Sequence, residues 1–171
     1  GNEVELRVHA CLISKDEMIA KIDGVMNGVS VVGDKVGETL YYGPGAGGDA
    51  TASAVVANII NIARSGKSAP MLGFDKPLEG KLTLKATQDI NSKYYLRINV
   101  SDRAGVLAKI TKVFEDNNIS VETMLQRPAS TSSANLLIST HIALEKDIQS
   151  MIKEITKLDF INSTPVMIRI V

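Results

Sequence analysis

Lys93-Tyr94-Tyr95-Leu96-Arg97-Ile98-Asn99-Val100, running into Ser101-Asp102-Arg103-Ala104-Gly105-Val106-Leu107, is the stretch whose pattern decides the fold. Its first half alternates, with Tyr94, Leu96, Ile98 and Val100 on one face, which predicts a half-buried strand. Its second half opens a helix whose apolar positions Val106, Leu107, Ile110, Val113 and Phe114 recur at helical spacing, with Asp102 as a candidate cap. Asn117-Asn118 ends that helix. Residues 119–126 alternate again through Ile119, Val121, Thr123 and Leu125, residues 127–133 read as a loop, and 134–142 as a third strand through Leu136, Ile138 and Ile142. A second helix carries Leu144, Ile148, Met151, Ile152 and Ile155, with Glu145 and Asp147 early and Lys153 and Lys157 late, as the helix dipole prefers. Pro165 introduces a last strand over 166–171. The order β-α-β-β-α-β is the ferredoxin-like split unit, so the fold class is α+β.

Toward the N-terminus the reading is of a different kind. Residues 3–13 alternate, with Val4, Leu6, Val8, Ala10 and Leu12 facing one way, and predict one half-buried strand. Ser14 and Glu17 have capping-box spacing ahead of an Asp23-Gly24 turn. Strands over 28–32 and 36–42, joined at Gly33-Asp34, form an antiparallel hairpin. The loop Gly43-Pro44-Gly45-Ala46-Gly47-Gly48-Asp49 then opens a helix from Ala50 to Arg64, with Asp49 or Thr51 as its cap. Gly66, Pro70, Gly73, Pro77 and Gly80 mark 65–92 as a linker. The chain opens straight into a strand pattern, so a piece of a longer protein is expected.

Composition narrows the function classes. Of 171 residues 22% are charged, and Lys plus Arg balance Asp plus Glu at 19 each, so no electrostatic case exists for a nucleic-acid or membrane partner. No apolar run approaches the roughly 18 residues of a membrane span. Cys11 is the only cysteine. No internal disulfide can form, a cytoplasmic location is the expectation, and the thiol reads as buried within its strand.

Gly43, Gly45 and Gly48 spell G-x-G-x-x-G between a strand and a helix. Bare amides at a helix N-terminus attract anions, and missing Cβ atoms admit a ligand. The surrounding strands read as antiparallel and no acidic residue ends a second strand downstream, which argues against a complete dinucleotide fold. A tight turn, or a loop touching a cofactor that another domain holds, both remain open. Gly66-Lys67-Ser68 echoes a P-loop end, but Asn61 stands where the first glycine belongs. His9 and His141 have no partner at metal-ligand spacing, so no metal site is expected. In Asp102 to Leu107 a strand turns sharply into a helix, so several N–H groups converge and can hold a small carboxylate, with Gly105 leaving room. A plain helix cap at Asp102 would look the same in sequence, and both readings stand.

Two family resemblances add to this. Residues 93–171 resemble an ACT domain in topology and in Asp102-Arg103-Ala104-Gly105-Val106-Leu107, which is similar to that family's D-x-x-G-x-L turn. Residues 1–64 resemble the end of the catalytic domain of homoserine dehydrogenases, through Arg7-Val8-His9 with Leu12-Ile13, Gly37-Glu38-Thr39, and Tyr42-Gly43-Pro44-Gly45-Ala46-Gly47 leading into Thr51-Ala52-Ser53-Ala54-Val55-Val56-Ala57.

The resemblance implies an NAD- or NADP-linked oxidoreductase interconverting L-homoserine and L-aspartate 4-semialdehyde, with Gly45 and Gly47 against the cofactor. The residues that family uses for proton chemistry are absent, so no catalytic residue is expected here and the chain by itself is expected to be inactive, with no cofactor bound. The ACT resemblance implies an amino-acid effector, threonine first, bound by Asp102, Arg103, Ala104, Gly105, Val106, Leu107 and Gln126, in a homo-oligomer, most simply a dimer through the ACT domain. The expected domains are therefore 1–64, a linker 65–92, and 93–171. The alternative is an ACT module, for amino-acid binding or dimerisation alone, from another enzyme of amino-acid metabolism.

Overall fold

A computed structural model describes residues 2–66 and 82–171. In chain order its elements are β1 (Glu3–Val4), β2 (Cys11–Leu12), a 3-10 turn at Ile19–Lys21, β3 (Met26–Gly33), β4 (Gly37–Pro44), α1 (Gly48–Ser65), β5 (Thr83–Leu84), a 3-10 turn at Thr87–Asp89, β6 (Asn91–Ser101), α2 (Val106–Asp116), β7 (Val121–Pro128), β8 (Ser133–Thr140), β9 (Ala143–Leu144), α3 (Glu145–Ile155) and β10 (Val166–Ile170). They divide into two compact units, Gly1–Ile13 with Leu82–Val171, and Ser14–Lys81.

The larger unit is built on β6. Its alternation buries Tyr94, Leu96, Ile98 and Val100 on one face. β6 pairs antiparallel with β8 and β10, and the sheet order is β2-β10-β6-β8-β7. Helix α2 turns Val106, Ile110, Val113 and Phe114 into the core, and α3 adds Ile148, Met151 and Ile155. Each such side chain contributes about 1.5–3 kcal/mol when fully buried. Leu107, expected on the same apolar stripe, is exposed. Elements β6, α2, β7, β8, α3 and β10 reproduce the expected β-α-β-β-α-β order.

The expectation for residues 3–13 needs correction. Only 3–4 and 11–12 are strand, because only these find a neighbour: Glu3 and Val4 pair parallel with Thr83 and Leu84, and Cys11 and Leu12 pair parallel with Arg169 and Ile170. Between them Leu6 and Val8 are exposed rather than half-buried. Arg7 there reaches the Asn91 carbonyl at 3.3 Å and pairs with Glu5. Cys11, on the strand at the sheet edge, is exposed and not buried. Residues 1–13 thus complete the sheet of the larger unit. In the stretch read as a linker, the described part holds β5, a 3-10 turn and the start of β6; residues 67–81 lie outside the described residues.

In the smaller unit β3 and β4 form the expected antiparallel hairpin, from Met26 opposite Pro44 to Gly33 opposite Gly37. The Ser14 turn is present, with the Asp16 amide on Ser14 Oγ at 3.2 Å, but the helical turn it precedes is 3-10. Helix α1 begins at Gly48 with Gly47 as its cap; neither Asp49 nor Thr51 caps it. No residue of α1 is buried, and Val55, Val56, Ile59 and Ile62 are all exposed. Among the described residues no helix is long and apolar enough to cross a membrane.

Candidate functional site

The turn between β6 and α2 is held from three sides. The Asp102 amide donates to the Ser132 carbonyl at 2.9 Å, the Arg103 amide to Ser101 at 3.0 Å, and the Ser101 amide to Phe160 at 2.9 Å. Gly105, not Asp102, caps α2; its φ of +86° lies in the left-handed region where a Cβ is costly. The cap shifts because the chain makes its tight turn at 103–105, which carries Asp102 too far back to reach the first-turn amides. Among the described residues, the amides of Ala104 and Gly105 donate to no backbone oxygen, and they sit beside the free amides that open any helix.

A cavity of about 190 Å³ lies against this turn. All seven residues expected to bind an effector line it: Asp102, Arg103, Ala104, Gly105, Val106, Leu107, and Gln126 from β7. Val100, Ser101 and Leu136 complete the wall. Gln126 Nε2 donates to Asp102 Oδ1 at 3.1 Å. Arg103 is turned aside: its Nη2 donates to Asp159 Oδ2 at 2.7 Å and its guanidinium lies 5.9 Å from the Phe160 ring centroid. That hydrogen bond holds the Asp159 carboxyl below its ordinary range. With Arg103 engaged elsewhere, Asp102 lines the cavity together with Ala104 and Gly105, whose amides are free, and with the buried side chains of Val100, Val106 and Leu136.

A second polar cluster braces the same unit. Glu145, at the start of α3, is buried at 4% exposure. Its oxygens accept from Arg169 Nη2 at 2.6 Å, Arg169 Nε at 3.0 Å, Tyr94 Oη at 2.8 Å and Gln149 Nε2 at 2.9 Å. Burial alone raises the carboxyl, but the hydrogen bonds from Arg169, Gln149 and Tyr94 outweigh it and hold Glu145 ionised below the usual range. Burial first, and then Glu145, push the Tyr94 hydroxyl far above its ordinary value.

In the glycine loop, Gly45 and Gly47 differ. A Cβ on Gly45 would lie 1.5 Å from Asn27 Nδ2, so packing inside the unit already requires glycine there. At Gly47, with φ +128°, and at Gly48, a Cβ would meet nothing within 4 Å. The open face of the loop therefore has room for a bound group. Asp49 in the first turn of α1 disfavours a phosphate at that helix end. Neither histidine joins a cluster: His9 Nδ1 contacts the Ala10 carbonyl at 2.9 Å, and no group of metal-binding side chains gathers among the described residues.

No sequence motif points to Val100, Ser101, Leu136, Asp159 or Phe160 at the site. The first three belong to strands whose pattern speaks only of burial. Asp159 and Phe160 come from beyond α3, and no local spacing links them to Arg103.

Comparisons with known proteins draw the boundary elsewhere, since residues 1–13 fall within the first matched segment and not with the larger unit. Residues 1–60 match the family model described as homoserine dehydrogenase, and residues 94–160 match the ACT domain. A homoserine dehydrogenase of Helicobacter pylori is 49% identical over 98% of this chain, and one of Neisseria gonorrhoeae is 42% identical over 99%. The crystal structure of a homoserine dehydrogenase from Thiobacillus denitrificans superposes with a TM-score of 0.85 at 38% identity, covering 100% of this chain and 40% of that one. The chain spans 39% and 40% of the length of those two curated relatives, about two-fifths. Over nearly its whole length the chain is similar to homoserine dehydrogenases, with that family's segment at residues 1–60 and an ACT domain at residues 94–160.

Proposed function

We propose that this chain is the regulatory part of an NAD- or NADP-dependent homoserine dehydrogenase of aspartate-family amino-acid biosynthesis, and that its ACT domain binds an amino-acid effector, threonine first. The observation that carries the effector reading is the convergence of Asp102, the Ala104 and Gly105 amides and Gln126 on one cavity. An α-ammonium suits the Asp102 carboxylate, an α-carboxylate suits the free amides at the start of α2, and a short side chain fits a space of about 190 Å³. Gln126 is placed to sort a side-chain hydroxyl.

The catalytic reading rests on the family match at 1–60 and on what α1 leaves uncovered. Helix α1 and the β3–β4 hairpin expose Val29, Val31, Tyr41, Val55, Ile59 and Ile62, far more apolar surface than a finished unit presents. That surface belongs against the parts of the relatives that the chain does not span. A bound nicotinamide cofactor supplies hydride transfer, and in this reading Gly47 and Gly48 leave the space its ring needs. The residues for proton transfer lie outside these 171. We read 1–64 as the end of the catalytic domain and 93–171 as the ACT domain, although residues 1–13 complete the sheet of the ACT unit. The free edge of β7 and the uncovered sheet face give a second copy two ways to associate, so a dimer is the expected assembly.

A turnover assay tests the reading. The 171-residue chain should not oxidise L-homoserine with NAD or NADP, whereas the same chain joined to the remaining three-fifths of a relative's length should. Turnover by the 171 residues, or none by the extended protein, contradicts it. Light scattering that finds a monomer at tens of micromolar, as an order-of-magnitude range, contradicts the assembly.

A further inference from the structure

Arg103 stands next to Asp102 in the chain, yet its guanidinium is drawn away from the cavity by Asp159 and Phe160. The hold on that guanidinium is anchored. The Phe160 carbonyl accepts the Ser101 amide at 2.9 Å, the Asn162 amide donates to the Asn99 carbonyl at 3.0 Å, and Val100 and Ile161 form an antiparallel bridge. Asn162 Nδ2 also donates to Asn99 Oδ1 at 2.9 Å and Ser101 Oγ to Asn162 Oδ1 at 3.2 Å. The segment 159–162 is thereby fixed to the end of β6, the strand that leads into the cavity. Phe160 is buried and carries two cations over its ring, Arg103 at 5.9 Å and Lys109 at 5.7 Å.

An unrestrained arginine beside Asp102 is the nearest competitor for its carboxylate. It would neutralise the charge that attracts a ligand ammonium, and repel that ammonium besides. We propose that Asp159, with the Phe160 ring, is a positioning residue that sequesters the Arg103 guanidinium and so keeps Asp102 available to the α-ammonium of an amino-acid ligand. This rests on the effector reading of the cavity, and it assigns Arg103 a backbone role there and not a side-chain one. The Arg103–Asp159 pair is largely exposed, at 55% and 73% of the side chains, so it adds little to stability. Its geometry answers to the site.

The test is calorimetric titration of the 171-residue chain with L-threonine and, in parallel, with the other proteinogenic amino acids. Asp159→Asn should weaken the binding seen in the wild type by about fivefold, the scale of one exposed charge pair, with an unchanged melting temperature. Adding Arg103→Gln to Asp159→Asn should restore the affinity, because the competitor is then gone. A bracket with a purely structural role predicts the reverse, a double variant at least as weak as the single one, and that result overturns the proposal. So does wild-type affinity in Asp159→Asn. A wild type that binds no amino acid removes the effector reading, and this proposal with it.

Discussion

Gln126 Nε2 donates to Asp102 Oδ1 at 3.1 Å, so the far end of β7 and the turn ahead of α2 share a hydrogen bond in the lining of one cavity. This pairing gives Asp102 a partner other than the helix it precedes. Removal of its charge therefore leaves α2 capped as before, by Gly105. Variation at Asp102 reports on binding rather than on folding.

Gly105 behaves in the opposite way. Inside a helix a leucine would be favoured, since leucine outranks glycine there. Gly105 instead precedes the first helical residue at φ +86°, where an L-residue costs about 1–2 kcal/mol. Gly105→Leu should lower the unfolding free energy by about that amount, measured by urea denaturation. Unchanged stability would show that the turn relaxes to another conformation.

Glu145 is the ionisable group on which the ACT core depends. Glu145→Ala leaves the Arg169 guanidinium, 20% exposed, without its carboxylate, and breaking such a pair costs about 3–5 kcal/mol. The pH dependence has a definite sign. The folded carboxyl is held below its ordinary value, so its contribution is complete above the carboxyl range of the unfolded chain and is lost as pH falls through the folded value. Denaturation midpoints across the acid range should fall more steeply for the wild type than for Glu145→Gln. Parallel curves would contradict this role.

Gly45→Ala tests the glycine loop. The new methyl would collide with Asn27, whose Nδ2, Cγ and Cβ lie 1.5, 2.3 and 2.9 Å from its position. Overpacking of this kind costs about 1–3 kcal/mol, and Asn27→Gly in the same chain should recover part of it. Hydrogen exchange at the β3–β4 hairpin would read both effects; no change at the hairpin would show that Gly45 is there for another reason.

The periodic elements were legible in the sequence because burial enforces their period. Tyr94 to Val100 on β6, the Val106-Ile110-Val113-Phe114 stripe, and Ile148, Met151 and Ile155 all face the core as their spacing requires. Residues 3–13 carry an equally good alternation, but a strand also needs a neighbour, and only Glu3–Val4 and Cys11–Leu12 have one. The turn at 102–107 was legible as a junction but not in detail. Whether Asp102 caps depends on where the backbone takes a positive φ, and that falls at Gly105. Asp159 was not legible at all, since its bond to Arg103 spans 56 positions and depends on how Phe160 packs.

The measurement closest to the central claim is the affinity of the chain for L-threonine before and after Asp102→Asn, by titration calorimetry. That variant removes the carboxylate charge while leaving an oxygen for Gln126 and leaving the Gly105 cap untouched. A charge-assisted hydrogen bond contributes about 1.5–3 kcal/mol. The account therefore predicts saturable binding by the wild type and a loss of about tenfold or more in Asp102→Asn at equal thermal stability. Equal affinity in the two proteins, or no binding by the wild type, would contradict it.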